Sequence, residues 1–241
     1  MAAKTKIKLP TLQELADAGV HYGHRTRRWH PKMDEFIYDS REGIHIIDLP
    51  KTLDRLERAA TFLQEQTKNG AQVLIVGTKR QAAETVEKLA QDNGIRHITV
   101  RWPGGLLTNF DNIKKTIRRY EELADQLKSK TRLDELSTRD KYRLIKEKDR
   151  LHKIVGGLVG MEKRPDLIIV IDPRREKTAV AEARKTHTPT IGIIDTNGDP
   201  GEVDYPIPGN DDALKSIEVL LGTLISAIKQ PDTKAELSDK E

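Results

Sequence analysis

Two short, uninterrupted aliphatic runs constrain the fold of this chain more than any other feature. They are Val73–Val76 and Leu167–Ile171, and each is followed by a stretch with helical periodicity. A strand with apolar residues on both faces must be covered on both faces, which is typical of parallel sheets enclosed by helices. Connections between parallel strands are right-handed crossovers in nearly all proteins. The pattern therefore predicts an α/β fold, a parallel sheet with helices on both faces.

The remaining elements follow from the same kinds of pattern. Helices are predicted over Leu53–Thr67, Gln81–Gln91, Glu176–Lys185 and Ala213–Lys229, and strands over Ile44–Leu49, His97–Val100 and Thr190–Ile194. A short helix over Thr11–Ala18 begins with the spacing of a capping box between Thr11 and Glu14. The stretch His21–Lys32 follows neither period, so it is predicted to be an ordered loop.

A segment without strand signals separates the two halves of the α/β pattern. Its apolar residues recur at alternating spacings of four and three on either side of 128–136, and Ser137 with Asp140 suits the start of a second helix. This predicts an antiparallel coiled-coil hairpin, whose narrow apolar seam implies that it protrudes. The chain is thus divided into a first α/β half with a basic N-terminal loop (1–110), the hairpin insertion (111–155), a second α/β half (156–229) and a disordered tail (230–241).

Composition excludes several classes of protein. The 241 residues include no cysteine, which excludes disulfides, thiol catalysis and cysteine-ligated metals. No apolar run is long enough to cross a membrane, and Met1–Pro10 has no apolar signal-peptide core, so we expect a cytoplasmic protein without membrane contacts. A net charge of +4 argues only weakly for nucleic acid, and the distribution of the cations matters more.

Cations and tryptophans occur together twice. Arg25, Arg27, Arg28, Trp29 and Lys32 fall within eight residues, and Arg101 with Trp102 repeats the pairing after a predicted strand. Guanidinium groups match phosphate oxygens, and an indole offers a base a surface for stacking. The alternative is a solvated basic loop with its tryptophan anchored in the core. The recurrence favours RNA contact.

Two further groups of cations are candidates for phosphate binding. Gly77-Thr78-Lys79-Arg80 follows a strand and opens a helix, where backbone amides favour anions, although its spacing is not that of a P-loop. The first hairpin helix carries Lys114, Lys115, Arg118 and Arg119 within six residues. In the second hairpin helix the cations alternate with acidic residues. A solvent-exposed helix with many ion pairs therefore explains this pattern as well as phosphate binding does. Its cations are Arg139, Lys141, Arg143, Lys146, Lys148, Arg150 and Lys153.

Several long motifs resemble one known family, the bacterial-type small ribosomal subunit protein S-two. They are the blocks at 19–33, 43–49, 101–110, 165–174, 195–197 and 207–213, and the resemblance covers nearly everything from Leu12 to Ile228. The resemblance implies a flavodoxin-like parallel sheet with a protruding coiled-coil hairpin. It also implies a place between the head and the body of the small subunit, in contact with small-subunit rRNA. In bacteria it implies a role in docking the mRNA-binding ribosomal protein S-one.

Acidic residues follow several predicted strands, where open α/β sheets usually bind ligands. An enzyme would use Asp172, Asp195, Asp199, Asp211, Asp212, His21 and His24. The same acidic residues are also common in turns and at the first positions of helices, which would explain them without catalysis. No recognised catalytic motif is present. His24, Asp195, Asp211 and Asp212 are nevertheless placed to meet at the sheet edge, which makes them candidate ligands for a divalent metal.

The sequence therefore predicts a non-enzymatic structural constituent of the small ribosomal subunit. The resemblance implies rRNA and neighbouring ribosomal proteins including S-one as its partners, and we expect no required cofactor and no small-molecule substrate. The predicted rRNA-binding residues are Arg25, Arg27, Arg28, Trp29, Lys32, Lys79, Arg80, Arg101, Trp102, Lys114, Lys115 and Arg118. The tryptophans either stack on bases or brace their loops. An α/β enzyme or sugar-phosphate binder, and a protein–protein adaptor acting through the hairpin, remain as alternatives.

Overall fold

The computed structural model describes residues 7–128 and 137–228. The strands are β1 (Tyr22–Arg25), β2 (Ile37–Arg41), β3 (Ile44–Ile47), β4 (Val73–Val76), β5 (Arg96–Ile98), β6 (Leu167–Ile171), β7 (Thr190–Ile194) and β8 (Tyr205–Pro208). The helices are α1 (Leu12–Asp17), α2 (Leu49–Lys68), α3 (Arg80–Asp92), α4 (Phe110–Lys128), α5 (Thr138–Val155), α6 (Lys177–Thr186) and α7 (Leu214–Ala227). Within the described ranges, no helix combines the length and apolarity needed to cross a membrane.

Five parallel strands form the main sheet in the order β5-β4-β6-β7-β8. Val73 and Ile75 point to one face, where they pack with residues of α1, α2, α3 and α7. Leu74 and Val76 point to the other face, which α4, α5 and α6 cover. Because successive strand residues face opposite sides, an unbroken apolar run needs helices on both. The predicted fold class is confirmed, and the arrangement is consistent with a flavodoxin-like fold.

The helix pair α4 and α5 lies where the insertion was predicted. Ser137 caps α5, since its hydroxyl accepts the Asp140 N–H at 3.2 Å. Ile113 and Ile117 of α4 and Val155 of α5 are buried in the same core as Leu74 of β4. The pair thus covers the sheet with its buried residues. The protruding coiled-coil geometry and the division into 1–110, 111–155 and 156–229 stay predictions, and the connection 129–136 and the tail 230–241 lie outside the described residues.

A second, three-stranded antiparallel sheet corrects the first part of the loop predicted over His21–Lys32. Its order is β1-β3-β2, and β1 supplies Tyr22–Arg25. The strands β1 and β2 were missed because β1 contains a glycine and β2 is mostly exposed, so neither shows an apolar pattern. The strand β8 was missed because it contains Pro206 and Pro208. Proline is tolerated there because β8 is an edge strand.

Asp48 explains a smaller correction. The strand predicted over Ile44–Leu49 ends at Ile47, because the Asp48 side chain caps α2 by accepting the Lys51 N–H. The helix consequently begins at Leu49, four residues before the predicted Leu53, with Pro50 in its first turn. Proline suits this position because the first helical N–H groups have no partner within the helix.

Candidate nucleic-acid interface and metal site

The carboxyl edge of the main sheet collects charged residues from four strands. Lys79 follows β4, Asp172 follows β6, Asp195 follows β7 and Asp211 follows β8. Parallel strands end at one edge, so residues distant in sequence come together there. The small sheet adds His24, whose backbone N–H donates to Thr196 Oγ1 at 2.9 Å. A side chain on the neighbouring Gly23 would lie 2.6 Å from Thr196 Cγ2, so this close approach requires glycine.

We call His24, Asp195, Asp211, Asp212 and Lys79 the edge cluster. His24 Nδ1 lies 2.9 Å from Asp195 Oδ1, and His24 Nε2 lies 3.5 Å from Asp212 Oδ2. The Lys79 ammonium lies 2.6 Å from Oδ1 of both Asp211 and Asp212. One possible ligand atom from each of the histidine and the three aspartates lies within 4.8 Å of the others. The proximity predicted for these four residues is confirmed, whereas metal binding stays a prediction.

The edge cluster holds more negative than positive charge. Asp211 is 1% exposed, and its Oδ2 has no hydrogen-bond partner among the described residues. Burial, with the neighbouring charges of Asp195 and Asp172, raises the pKa of Asp211 to about 7. The hydrogen bond to Asp195 raises the pKa of His24. Burial alone would lower the pKa of Lys79, but the Asp211 and Asp212 carboxylates raise it. A further cation would therefore relieve the repulsion among the carboxylates.

Three residues of the enzyme hypothesis, Asp172, Asp199 and His21, lie outside the edge cluster, although Asp172 comes within 3.9 Å of the Lys79 ammonium. Asp199 pairs with the Lys32 ammonium at 2.8 Å and accepts the Gly201 N–H. His21 packs against the ring of Tyr22, with 4.0 Å between ring centroids, and burial lowers the pKa of His21. The structure thus does not bring the proposed acid–base residues together as one set.

The segment Arg25–Lys32, here called the basic loop, exposes most of its charge. Arg25, Arg27 and Arg28 are exposed, and across 7–128 and 137–228 no carboxylate lies within 4.0 Å of their guanidinium groups. Trp29 is 40% exposed, and its ring lies 5.5 Å from that of His45. Lys32 is exposed but paired with Asp199. Three guanidinium groups and one indole face are therefore free for an external ligand.

The segment Arg101–Asn109, here called the second loop, is organised around a carboxylate. Glu182 of α6 accepts hydrogen bonds from Trp102 Nε1 at 3.1 Å and from the backbone N–H groups of Gly105 (2.7 Å), Leu107 (3.0 Å) and Thr108 (3.3 Å). Burial alone would raise the pKa of Glu182, but these hydrogen bonds lower it. Trp102 is 6% exposed. Its ring braces the loop, and a base stacks on it only if the loop opens.

The other predicted cations divide into paired and unpaired groups. Lys79 is held in the edge cluster, and Lys114 lies 2.6 Å from a carboxylate oxygen of Glu162. The other four of these predicted cations are exposed and have no carboxylate within 4.0 Å in the described part of the chain: Arg80, Arg101, Lys115 and Arg118. Arg80 and Arg101 follow β4 and β5 at the carboxyl edge.

Sequence reasoning left three residues out of the predicted site. Arg174 and Arg175 are exposed and follow β6 at the carboxyl edge, and Arg175 Nε donates to Thr78 Oγ1 at 3.2 Å. Their position after a predicted strand was a usable signal. No local signal marked Glu182, because its partners lie 74 or more positions earlier in the chain.

Comparison with protein families gives one match. Residues 15–231 match the sequence model of the family described as Ribosomal protein S2. The matched range includes the basic loop, the edge cluster and the helix pair.

Proposed function

Since the chain belongs to the ribosomal protein S2 family, a family of structural proteins of the small ribosomal subunit, we propose that it binds small-subunit rRNA through the cations at the carboxyl edge of its sheet. The family works within the ribosome, among rRNA and other ribosomal proteins. We further propose that the chain lies between the head and the body of the small subunit, in ribosomes of the cytoplasm. The chain catalyses no reaction in this proposal, which the separation of Asp199 and His21 from the edge cluster supports.

The observation that carries the proposal is the free charge of the basic loop. Exposed guanidinium groups bind phosphate oxygens through paired N–H donors, and they release the counterions of the nucleic acid when they do so. Arg80 and Arg101 extend this positive surface along the carboxyl edge. The Trp29 ring adds a surface on which an unpaired base can stack.

The test is rRNA binding across a series of salt concentrations. Replacing Arg25, Arg27 and Arg28 by alanine removes three phosphate contacts, so the slope of log K against log salt should become shallower by about 2–3. A matched variant removes three cations from α2 by alanine substitution of Arg55, Arg58 and Lys68. An equal loss in the two variants would show that only net charge matters, and an unchanged slope in the basic-loop variant would contradict the proposal.

We also propose that His24, Asp195, Asp211 and Asp212 hold one divalent cation. The unpartnered Oδ2 of Asp211 and the excess of carboxylates support it. A histidine nitrogen with carboxylate oxygens suits Zn²⁺ or Mn²⁺ better than Mg²⁺ or Ca²⁺. The ion would tie β1, through His24, to the ends of β7 and β8 and would have a structural role.

Thermal unfolding with and without added metal tests this site. Zn²⁺ or Mn²⁺ should raise the Tm of the chain, and Asp211→Asn should abolish the rise while Asp199→Asn leaves it intact. Metal content of the purified chain, measured for the same variants, should follow the same order. A rise that survives Asp211→Asn would assign the ion to another place.

The docking of ribosomal protein S-one is proposed for the apolar surface of the small sheet. A cavity of about 520 Å³ there is lined by Ala16, His21, Tyr38, Ile46, Ile47, Asp48, Leu49 and Pro50. Tyr38 is 73% exposed and Tyr22 is 51% exposed. Exposed aromatic residues beside an apolar hollow are typical of protein interfaces, and they are poorly suited to phosphates.

Binding of purified S-one to this chain tests the docking proposal. Tyr22→Ser with Tyr38→Ser should weaken binding at least about tenfold, as expected for two aromatic contacts. Tyr142→Ser with Ile145→Ser removes two exposed apolar residues from α5 and is the control. Equal binding by all three chains would place S-one elsewhere.

A further inference from the structure

The outer side of α5 carries five cations in a single row. They recur at spacings of four, three, four and three residues, so they lie within a strip about 80° wide around the helix. The row faces away from Leu151 and Val155, the buried residues of the helix. We call these residues the α5 ridge: Arg139, Arg143, Lys146, Arg150 and Lys153, all of them exposed.

The cations of the α5 ridge form no ion pair with neighbouring carboxylates in the described part of the chain. Glu147 lies outside the strip and is bound by Arg119 at 3.0 Å, and Asp149 contacts Lys148 at 4.0 Å. Arg119 lowers the pKa of Glu147 most, and the more distant charges of Arg150 and Arg143 lower it further. Among residues 7–128 and 137–228, no carboxylate lies within 4.0 Å of a ridge cation. Lys146 lies over the ring of Tyr142, with Nζ 4.7 Å from the centroid, which leaves its charge in place. Five exposed cations without an ion-pair partner therefore extend along about 21 Å of helix.

The facing helix α4 is different, although its four clustered cations made it the better candidate from sequence. Lys114 is paired with Glu162 and Arg119 with Glu147. The two that stay free, Lys115 and Arg118, share the outer side of α4 with acidic residues. The sequence favoured α4 over α5 as the RNA-binding helix, and the structure favours α5. Two cations of α4 are held in ion pairs, whereas the row on α5 stays exposed.

We propose that the α5 ridge is a second RNA-binding surface, which contacts consecutive phosphates without reading their sequence. This inference rests on the proposed rRNA binding and assigns it a separate surface. A row of evenly spaced cations follows a polyanion well. A protein interface needs an apolar centre, which a strip of five cations does not provide. The ridge therefore favours RNA over an acidic protein partner.

Two lysine pairs on α5 allow a matched test in the 241-residue chain. Lys146 and Lys153 belong to the ridge, whereas Lys141 and Lys148 lie on another side of the same helix, and both pairs are seven residues apart. Lys146→Gln with Lys153→Gln should make the salt slope of rRNA binding shallower by about 1.4–1.8. Lys141→Gln with Lys148→Gln should leave the slope unchanged. Circular dichroism of both variants checks that α5 is retained.

The outcomes separate this inference from the proposed function. Equal changes in both pairs would mean that only net charge matters and would overturn the ridge proposal. An unchanged ridge variant beside an impaired Arg25, Arg27 and Arg28 variant would overturn the ridge and leave rRNA binding standing. Lost binding to an acidic ribosomal protein with unchanged rRNA binding would also overturn it. A wild-type chain without salt-dependent rRNA binding would refute both.

Discussion

The basic loop and the second loop both join arginine to tryptophan, but the fold uses the two tryptophans for different purposes. Trp29 is 40% exposed and has a histidine ring beside it, whereas Trp102 is 6% exposed and donates to Glu182. The carboxylate makes the difference, because it collects the donors of the second loop and holds the indole inside. The same arginine–tryptophan pair thus belongs to a candidate RNA interface in the basic loop, whereas in the second loop its tryptophan stabilises the loop.

The largest expected difference between the loops is in stability. Trp102→Ala removes a buried indole that packs in the second core, so the free energy of unfolding should fall by about 3–5 kcal/mol. Trp29→Ala should change it by less than about 1 kcal/mol, because the ring is half-exposed. Urea unfolding of both variants measures this. Equal losses would show that both tryptophans are braces.

Removal of the organising carboxylate should have the next largest effect. Glu182→Ala leaves the Trp102 indole and three backbone N–H groups without their acceptor, so we expect a loss of about 2–3 kcal/mol in the free energy of unfolding. Formate should restore part of the loss, because it supplies a carboxylate to the vacated position. The control is Glu176→Ala, which removes the acceptor of the Thr78 hydrogen bonds instead. Formate bound at the second loop should not restore the stability of this variant.

A smaller effect should separate the loops in RNA binding. Trp29→Ala should weaken rRNA binding by about 1–3 kcal/mol, the usual contribution of one aromatic stacking surface. Trp29→Phe keeps a ring and should recover most of the affinity. If Trp29→Ala binds as tightly as the wild type while remaining folded, the exposed indole is not a stacking surface.

The smallest effect concerns the acid limb of stability. The pKa of Glu182 is lowered from its ordinary 4.5 in the folded chain, so its contribution is fully present above that value. It is lost as the pH falls through the folded-state pKa. The stability difference between wild type and Glu182→Gln should therefore be constant near neutral pH and shrink below about pH 4.5. A difference that grows in acid would contradict the lowered pKa.

Much of the fold was predictable because its signals are local. The bounds of β4, β6 and β7 agree with the prediction, since each is a buried strand in the centre of the sheet. The capping box of α1 and the Ser137 cap of α5 could likewise be predicted, because the two residues of each cap are only three positions apart. The strands β1, β2 and β8 were not, because exposure or proline removes the apolar pattern.

The candidate site was predictable in part, for a related reason. The meeting of His24 with Asp195, Asp211 and Asp212 followed from the rule that parallel strands end at one edge. The position of Lys79 did not follow, because its two closest carboxylates belong to Asp211, 132 positions later, and to the adjacent Asp212. Glu182 was missed for the same reason.

Apolar runs and caps, which act within a few residues, were enough to predict the parallel sheet and its helical cover. Long motifs in a fixed order were enough to indicate the family. Which cations stay without an ion-pair partner depends on the folded arrangement of the chain. Lys79 and Arg25 are equally cationic in the sequence, yet two aspartates neutralise Lys79 while Arg25 stays exposed. Electrostatic attraction and burial depend on distance in space, and the topology of the sheet sets that distance.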